Sequence, residues 1–313
     1  MNRNGLIQHI DLWKSKLGSY AGVARKCEIN AAALSTILAG KYGANEAQML
    51  QKIAKKLDYR ESTWKVVRTL ANYKRIEALL ADAKHESMWF AISNKAGSGK
   101  TAAMEDLFNR DTTGTLVFIQ AEEWSGRQFL IKLIGKTLGE SELSGGYKTI
   151  AQLTDMVVNF FNDMSLENPV LLIDEADKLR PAALRTLIPI YNRTEGRLGL
   201  ILSGTENLKK EIQAGVRLHK KGFDELESRF GRTYINLRGA IEREVYDVCL
   251  ANGITDKEVQ GRIWGELKKE NKPTTVRTTG SNGTKEVMIP YAEDFRFLMR
   301  LVKREQLIKK TAA

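Results

Sequence analysis

Cysteine is scarce. Cys27 and Cys249 are the only two among 313 residues, and they form no CxxC pair. That excludes a disulfide framework and a thiolate metal site, and suits a reducing compartment. Three scattered histidines, His9, His85 and His219, cannot build a metal site unaided. With 5 prolines, 8% aromatic and 42% hydrophobic residues, the chain is neither disordered nor low-complexity. No apolar run approaches the ~18–20 residues of a membrane helix; the strongest, Val170 to Ile173, is far shorter. The opening MNRNGLIQHIDLWKSK carries charges throughout and predicts no signal peptide. The length fits two domains of about 100–200 residues each.

What is plentiful is positive charge. The formal net charge is +11, and residues 1–71 hold 12 basic against 5 acidic residues, so most of it lies in the first quarter. Such an imbalance points to a polyanionic partner, nucleic acid first, or to a well-solvated helical surface.

Residues 6–60 read as short helices. In Ala21 to Cys27 and then Ala31 to Leu38, Val23, Ala24 and Cys27 face inward on one helix, and Leu34, Ile37 and Leu38 on the next. Ile29 plugs the corner, Asn30 caps the second helix, Gly40 stops it, and small Ala24 permits a close crossing. These residues resemble the repressor-type helix-turn-helix family. The resemblance puts the second helix in the major groove, with Asn30, Ala31, Ala33, Ser35 and Thr36 presented and Lys41 near phosphate. The set lacks the Arg or Gln that commonly read bases. A helical protein-docking unit is the alternative.

Glu61 to Glu86 reads as a linker of helical segments. Met88 to Ser93 is then a short apolar run before Asn94-Lys95-Ala96-Gly97-Ser98-Gly99-Lys100-Thr101 and a helical stretch to Phe108, with Asn94 to Ala102 the candidate nucleotide contacts. Strand, glycine-rich turn and helix make a Walker A phosphate loop. Backbone N–H groups wrap phosphates, Lys100 reaches the β- and γ-phosphates, and Thr101 offers a hydroxyl to Mg2+. Asn94 replaces the motif's leading glycine, and a left-handed backbone there preserves the turn. Some 70 residues on, Val170 to Asp174 is a buried-strand pattern ending in Asp174-Glu175. As a Walker B, Asp174 holds Mg2+ and Glu175 polarises the attacking water. A strand at Thr115 to Gln120 lies between; Leu198 to Thr205 and Thr233 to Leu237 follow.

Together these segments resemble the AAA+ ATPases over residues 72–313. That resemblance implies an α/β fold, a parallel sheet with flanking helices and a small helical lid. It makes Ser203 or Thr205 the sensor 1, Arg229 an arginine finger with Arg232 its rival, and Arg296 a sensor 2, although Glu293-Asp294 replaces the usual Gly-Ala. A finger acts on a neighbour's nucleotide, so oligomers are implied. In the lid, Glu242 to Ala251 and Thr255 to Lys269 read as helices, Pro273 to Pro290 as a hairpin turning at Ser281-Asn282-Gly283, and Tyr291 onward as a helix. Arg300, Lys303, Arg304, Lys309 and Lys310 form a basic stripe. The expected divisions are 1–62, 63–86, 87–238 and 239–313.

VARKCEINAAALSTILAGKY, AGSGKT, LLIDEADKL, LILSGT and ESRFGR resemble the phage Mu B family of transposition ATPases and, more loosely, TnsC and IstB. This family resemblance implies ATP-dependent self-assembly into a filament on double-stranded DNA with little sequence preference. It also implies activation of a DDE transposase and action in a bacterial cytoplasm. Arg127, Lys178, Arg180 and Arg185 are then candidate phosphate contacts on loops facing the filament axis. A helicase loader or replication initiator, or an ATP-switched repressor, are the alternatives.

Overall fold

The computed structural model describes residues 3–43, 45–59, 64–277 and 284–311. Four short helices come first: α1 (Arg3–Leu17), α2 (Tyr20–Lys26), α3 (Ala31–Leu38) and α4 (Glu46–Lys56). Their common core is Leu6, Ile10, Val23, Cys27, Leu34, Ile37, Ile53 and Leu57, all sealed from solvent, with Ile29 packed at its edge. Ser19 and Asn30 cap α2 and α3 by accepting from Gly22 N and Ala32 N. Gly40, at φ +69°, ends α3, and Lys41 N donates back to Thr36 O.

The α/β body contains α5 (Ala71–Glu86), β1 (Trp89–Ser93), α6 (Lys100–Arg110), β2 (Leu116–Gln120), α7 (Gly126–Thr137) and α8 (Ile150–Phe161). It continues through β3 (Val170–Asp174), α9 (Pro181–Thr194), β4 (Gly199–Gly204), α10 (Glu206–Arg217), α11 (Phe223–Arg229) and β5 (Tyr234–Ile235). The five strands are parallel in the order β2-β3-β4-β1-β5. Helices cover both faces, which is why strands such as Val-Leu-Leu-Ile read as unbroken apolar runs. Ser93 pairs with Gly204 and Gln120 with Asp174, so these strands end together on one edge. Where the chain order reverses beside β1, that edge opens into a crevice.

Of the expected linker and helix 63–86, the helix is α5. Ile76, Leu79 and Ala83 of α5 are buried in the core on one sheet face. A side chain on Gly199 would come within 2.2 Å of Ala83 O, so β4 meets α5 at backbone contact. The helix belongs to this body because its apolar face repeats every third or fourth residue, and the sheet and α6 cover it.

The lid holds α12 (Glu242–Ala251), α13 (Lys257–Glu266), the antiparallel β6 (Lys269–Arg277) and β7 (Thr284–Ala292), and α14 (Phe295–Thr311). The hairpin is thus present, its turn at Ser281-Asn282-Gly283 lying outside the described residues. Tyr291 and Ala292, expected in the last helix, belong to β7, and Asp294 starts that helix by accepting from Phe297 N. Packing also ties the N-terminal helices to the body. Trp13 meets Phe108 edge-on at 6.0 Å, Lys16 Nζ donates to Phe108 O at 2.6 Å, and Lys136 pairs with Asp58.

Candidate nucleotide site

The phosphate loop follows β1 directly. Asn94 does not take left-handed angles: its N–H extends the β1–β4 ladder to Gly204 O at 3.3 Å. The turn therefore starts later, with positive φ at Gly97 (+82°) and Gly99 (+85°). Gly99 caps α6, and Lys100 opens it. Lys100 is 7% exposed. Its ammonium donates to Asn94 O (2.9 Å), Lys95 O (3.0 Å) and Ser98 Oγ (3.0 Å). Burial lowers its pKa, opposed by Asp174 and Asp177, while nearby Arg296 pushes the same way as burial. Two cations converging at a helix N-terminus make a site for an anion.

Asp174 closes β3 and is 1% exposed. One oxygen accepts from Thr101 Oγ1 at 2.6 Å, the other from Ser203 Oγ at 3.0 Å. Burial raises its pKa, against those two hydrogen bonds. A buried carboxylate beside a hydroxyl, disfavoured in its charged form, offers the hard oxygen donors a divalent cation such as Mg2+ takes. The residues present fit that ion.

Glu175 sits in the left-handed region (φ 53°) and its carboxylate is ion-paired with Lys178. Asp177 accepts from Thr205 N at 3.0 Å and Thr205 Oγ1 at 2.6 Å, and Thr205 also caps α10. Of the two sensor candidates, Ser203 thus joins Asp174 and Thr205 joins Asp177.

Above the loop lies a cavity of about 320 Å3 lined by Gly97 to Ala103, Arg296, and the apolar Trp64, Val66, Val67, Leu70, Phe295 and Met299. Asn252 fixes one wall, accepting from Lys65 N at 2.8 Å and donating to Lys65 O at 3.2 Å. An apolar chamber opening onto an anion site has the chemistry for a base joined to phosphates. Sequence reasoning missed the 64–70 wall. Its signal, Trp64 and Val66-Val67 within a charged stretch, was visible but had no motif. The lid grips the loop as well: Phe295 N donates to Gly97 O at 2.8 Å, and Lys95 pairs with Glu270 and Glu293.

Arg229 lies away from this cluster. Its guanidinium donates to Asn192 Oδ1 (2.7 Å) and Glu225 Oε1 (3.1 Å) and covers the Tyr191 ring, because α11 packs on α9. Arg232 is the more open of the two, though paired with Asp224 at 2.7 Å. Arg127 stands in the first turn of α7 rather than on a loop, stacked on Tyr147 at 4.5 Å. Arg180 and Arg185 are exposed, as are Ser35, Thr36 and Lys41; Asn30 spends its side-chain oxygen on the α3 cap.

Residues 84–212 match the family model described as an AAA domain. The chain is similar to AAA domains over those residues. Its fold is that of an AAA+ P-loop NTPase. Among solved structures it is similar to Cdc6p from Pyrobaculum aerophilum, at 17% identity and TM-score 0.43, covering 61% of this chain and 52% of that one. It is similar to the Aeropyrum pernix Orc1 protein in complex with DNA at 14% identity and TM-score 0.45, covering 81% and 63%. Drosophila ORC bound to AT-rich DNA and Cdc6 aligns at 11% identity and TM-score 0.36, covering 74% and 91%. This chain therefore spans about half to two thirds of the first two. No curated protein matches the sequence. No helix among the described residues is long and apolar enough to cross a membrane.

Proposed function

We propose that the AAA domain binds and hydrolyses ATP with Mg2+, and that the chain uses this cycle to engage duplex DNA and direct a partner enzyme there. The carrying observation is the contact of Thr101 Oγ1 with buried Asp174, beside Lys100 and beneath the cavity. In this reading the N–H groups of Gly97 to Thr101 and the Lys100 ammonium bind the β- and γ-phosphates. Thr101 and Asp174 hold Mg2+, which when bound neutralises developing phosphate charge. Glu175, once released from Lys178, accepts the proton of the attacking water. Arg296 meets the phosphates in the same chain, and Arg232 or Arg229 those of a neighbour.

DNA engagement rests on the α2–α3 pair, whose outer side presents Ser35, Thr36 and Lys41 to solvent. Loading a helicase in replication initiation and handing target DNA to a DDE transposase are the two transactions this reading covers; the second rests on the Mu B-like stretches. The test is binding to random-sequence duplexes of increasing length with ATP, ADP or no nucleotide. ATP-dependent, length-dependent, sequence-blind binding supports the reading, and added transposase or helicase then identifies the partner by its stimulation of ATP turnover. Binding that ignores nucleotide overturns it.

A further inference from the structure

The tight connection from α10 to α11 is a strongly basic exposed segment outside the site. Arg217, His219, Lys220 and Lys221 are four of its five residues between 217 and 221, and all are exposed. The backbone is closed on itself: Leu218 N donates to Ala214 O (3.0 Å), Lys220 N to Gly215 O (2.9 Å) and Phe223 N to Lys220 O (3.2 Å). A side chain on Gly215 would strike the Phe223 ring at 2.3 Å, so the two helices meet at contact distance and hold the turn in place. Gly222 lies beside the stem of Arg185, 3.3 Å from its Cδ by the position a side chain would take. Arg180 is five residues before Arg185, about 7.5 Å along α9 at 1.5 Å per residue.

The acidic neighbours are committed elsewhere. Asp224 holds Arg232, Glu225 holds Arg229, and Glu227 takes the Tyr234 hydroxyl. Glu211 is the carboxylate that senses Lys220. Arg180, Arg185, Arg217 and Lys221 make no side-chain hydrogen bond or ion pair among the described residues. By contrast Lys56, Arg68, Lys136 and Arg304 are paired.

We propose that this turn, together with Arg180 and Arg185, is a binding surface for the phosphate backbone of duplex DNA. Unpaired cations on a fixed turn present their charge without first breaking a protein ion pair, and phosphates are recognised by such charge without regard to sequence. The inference rests on the DNA reading above and locates its contact on the ATPase body, apart from α3.

The test is the full chain carrying Arg185→Gln, Arg217→Gln and Lys221→Gln together, titrated with a random-sequence duplex in ATP across a salt series. The slope of log K against log salt shrinks by about 0.9 for each phosphate no longer neutralised, roughly 2–3 in all. Affinity at the lowest salt falls at least tenfold, while ATP turnover without DNA and thermal stability stay unchanged. A control replaces Arg75, Lys132 and Lys257, exposed on three other helices, with Gln. Equal losses in the two variants, or none in the first, overturn the surface while leaving the DNA reading intact. A wild-type chain that binds no duplex overturns both. Displacement of duplex by poly-glutamate at equal charge assigns the surface to acidic protein instead, and overturns the DNA assignment.

Discussion

Lys100 is buried and Lys16 half-buried, and burial lowers the pKa of both, yet they sit in opposite kinds of environment. Lys100 is met by three oxygens, feels Asp174 and Asp177, and opens onto a cavity. Lys16 has one carbonyl, Phe108 O, and two aromatic rings: its Nζ lies 3.6 Å from the Phe108 centroid and 5.2 Å from that of Trp13, while Asp111 favours its charge and Lys26 opposes it. The first is a charge suited to meeting an anion; the second is a charge trapped where two parts of the chain dock. Both residues reach the same helix, since α6 begins at Lys100 and carries Phe108 near its end. The nucleotide end of α6 and its docking end are thus built for different purposes, and substitutions should separate them.

The largest effect falls at the nucleotide end. Lys100→Ala removes the cation at the loop and should abolish ATP binding by titration calorimetry; ordinary affinity in this variant would remove the phosphate-site reading. Glu175→Gln should bind ATP normally and lose at least about a hundredfold in turnover, the scale of a lost general base. Unchanged turnover would take Glu175 out of the chemistry. Lys178→Ala follows with a smaller change of the opposite sign. Its ion pair with Glu175 is half-exposed and is worth at most about 1 kcal/mol. Releasing the carboxylate should raise turnover without DNA about two- to fivefold, seen in a steady-state phosphate assay; a fall would mean that Lys178 itself meets the nucleotide.

The same contrast explains what the sequence disclosed. Gly97-Ser98-Gly99-Lys100-Thr101 and Ile173-Asp174-Glu175 were legible because phosphate and cation chemistry demands those residue types in a fixed order after strands. The parallel sheet was legible from apolar runs such as Leu198 to Leu202. What escaped was whatever depends on tertiary partners. α5 looked like a linking helix because its burial comes from the sheet and α6, Trp64 to Val67 carried no pattern, and Asn94 obeyed the strand ladder rather than its own preference for left-handed angles. The pairings of Glu175 with Lys178 and of Arg229 with Tyr191 and Asn192 are also tertiary, and spacing alone names neither.

The docking end yields the smallest effect, one that varies with pH. Burial brings Lys16 from 10.5 down to about 8. Between those values the unfolded chain holds a proton that the folded one has released, so the folded state gains stability as pH rises through that window. Below pH 8 both states are charged, and the cost of burying the ammonium is borne in full. Replacing Lys16 with Met removes that cost together with the bond to Phe108 O. The variant's stability relative to the wild type should therefore be highest at pH 7 and decline by about 1–2 kcal/mol by pH 10.5, after allowing for partial exposure. Denaturant melts of both proteins at several pH values measure this directly. A difference that stays flat from pH 7 to 10.5 would show that Lys16 keeps its proton throughout.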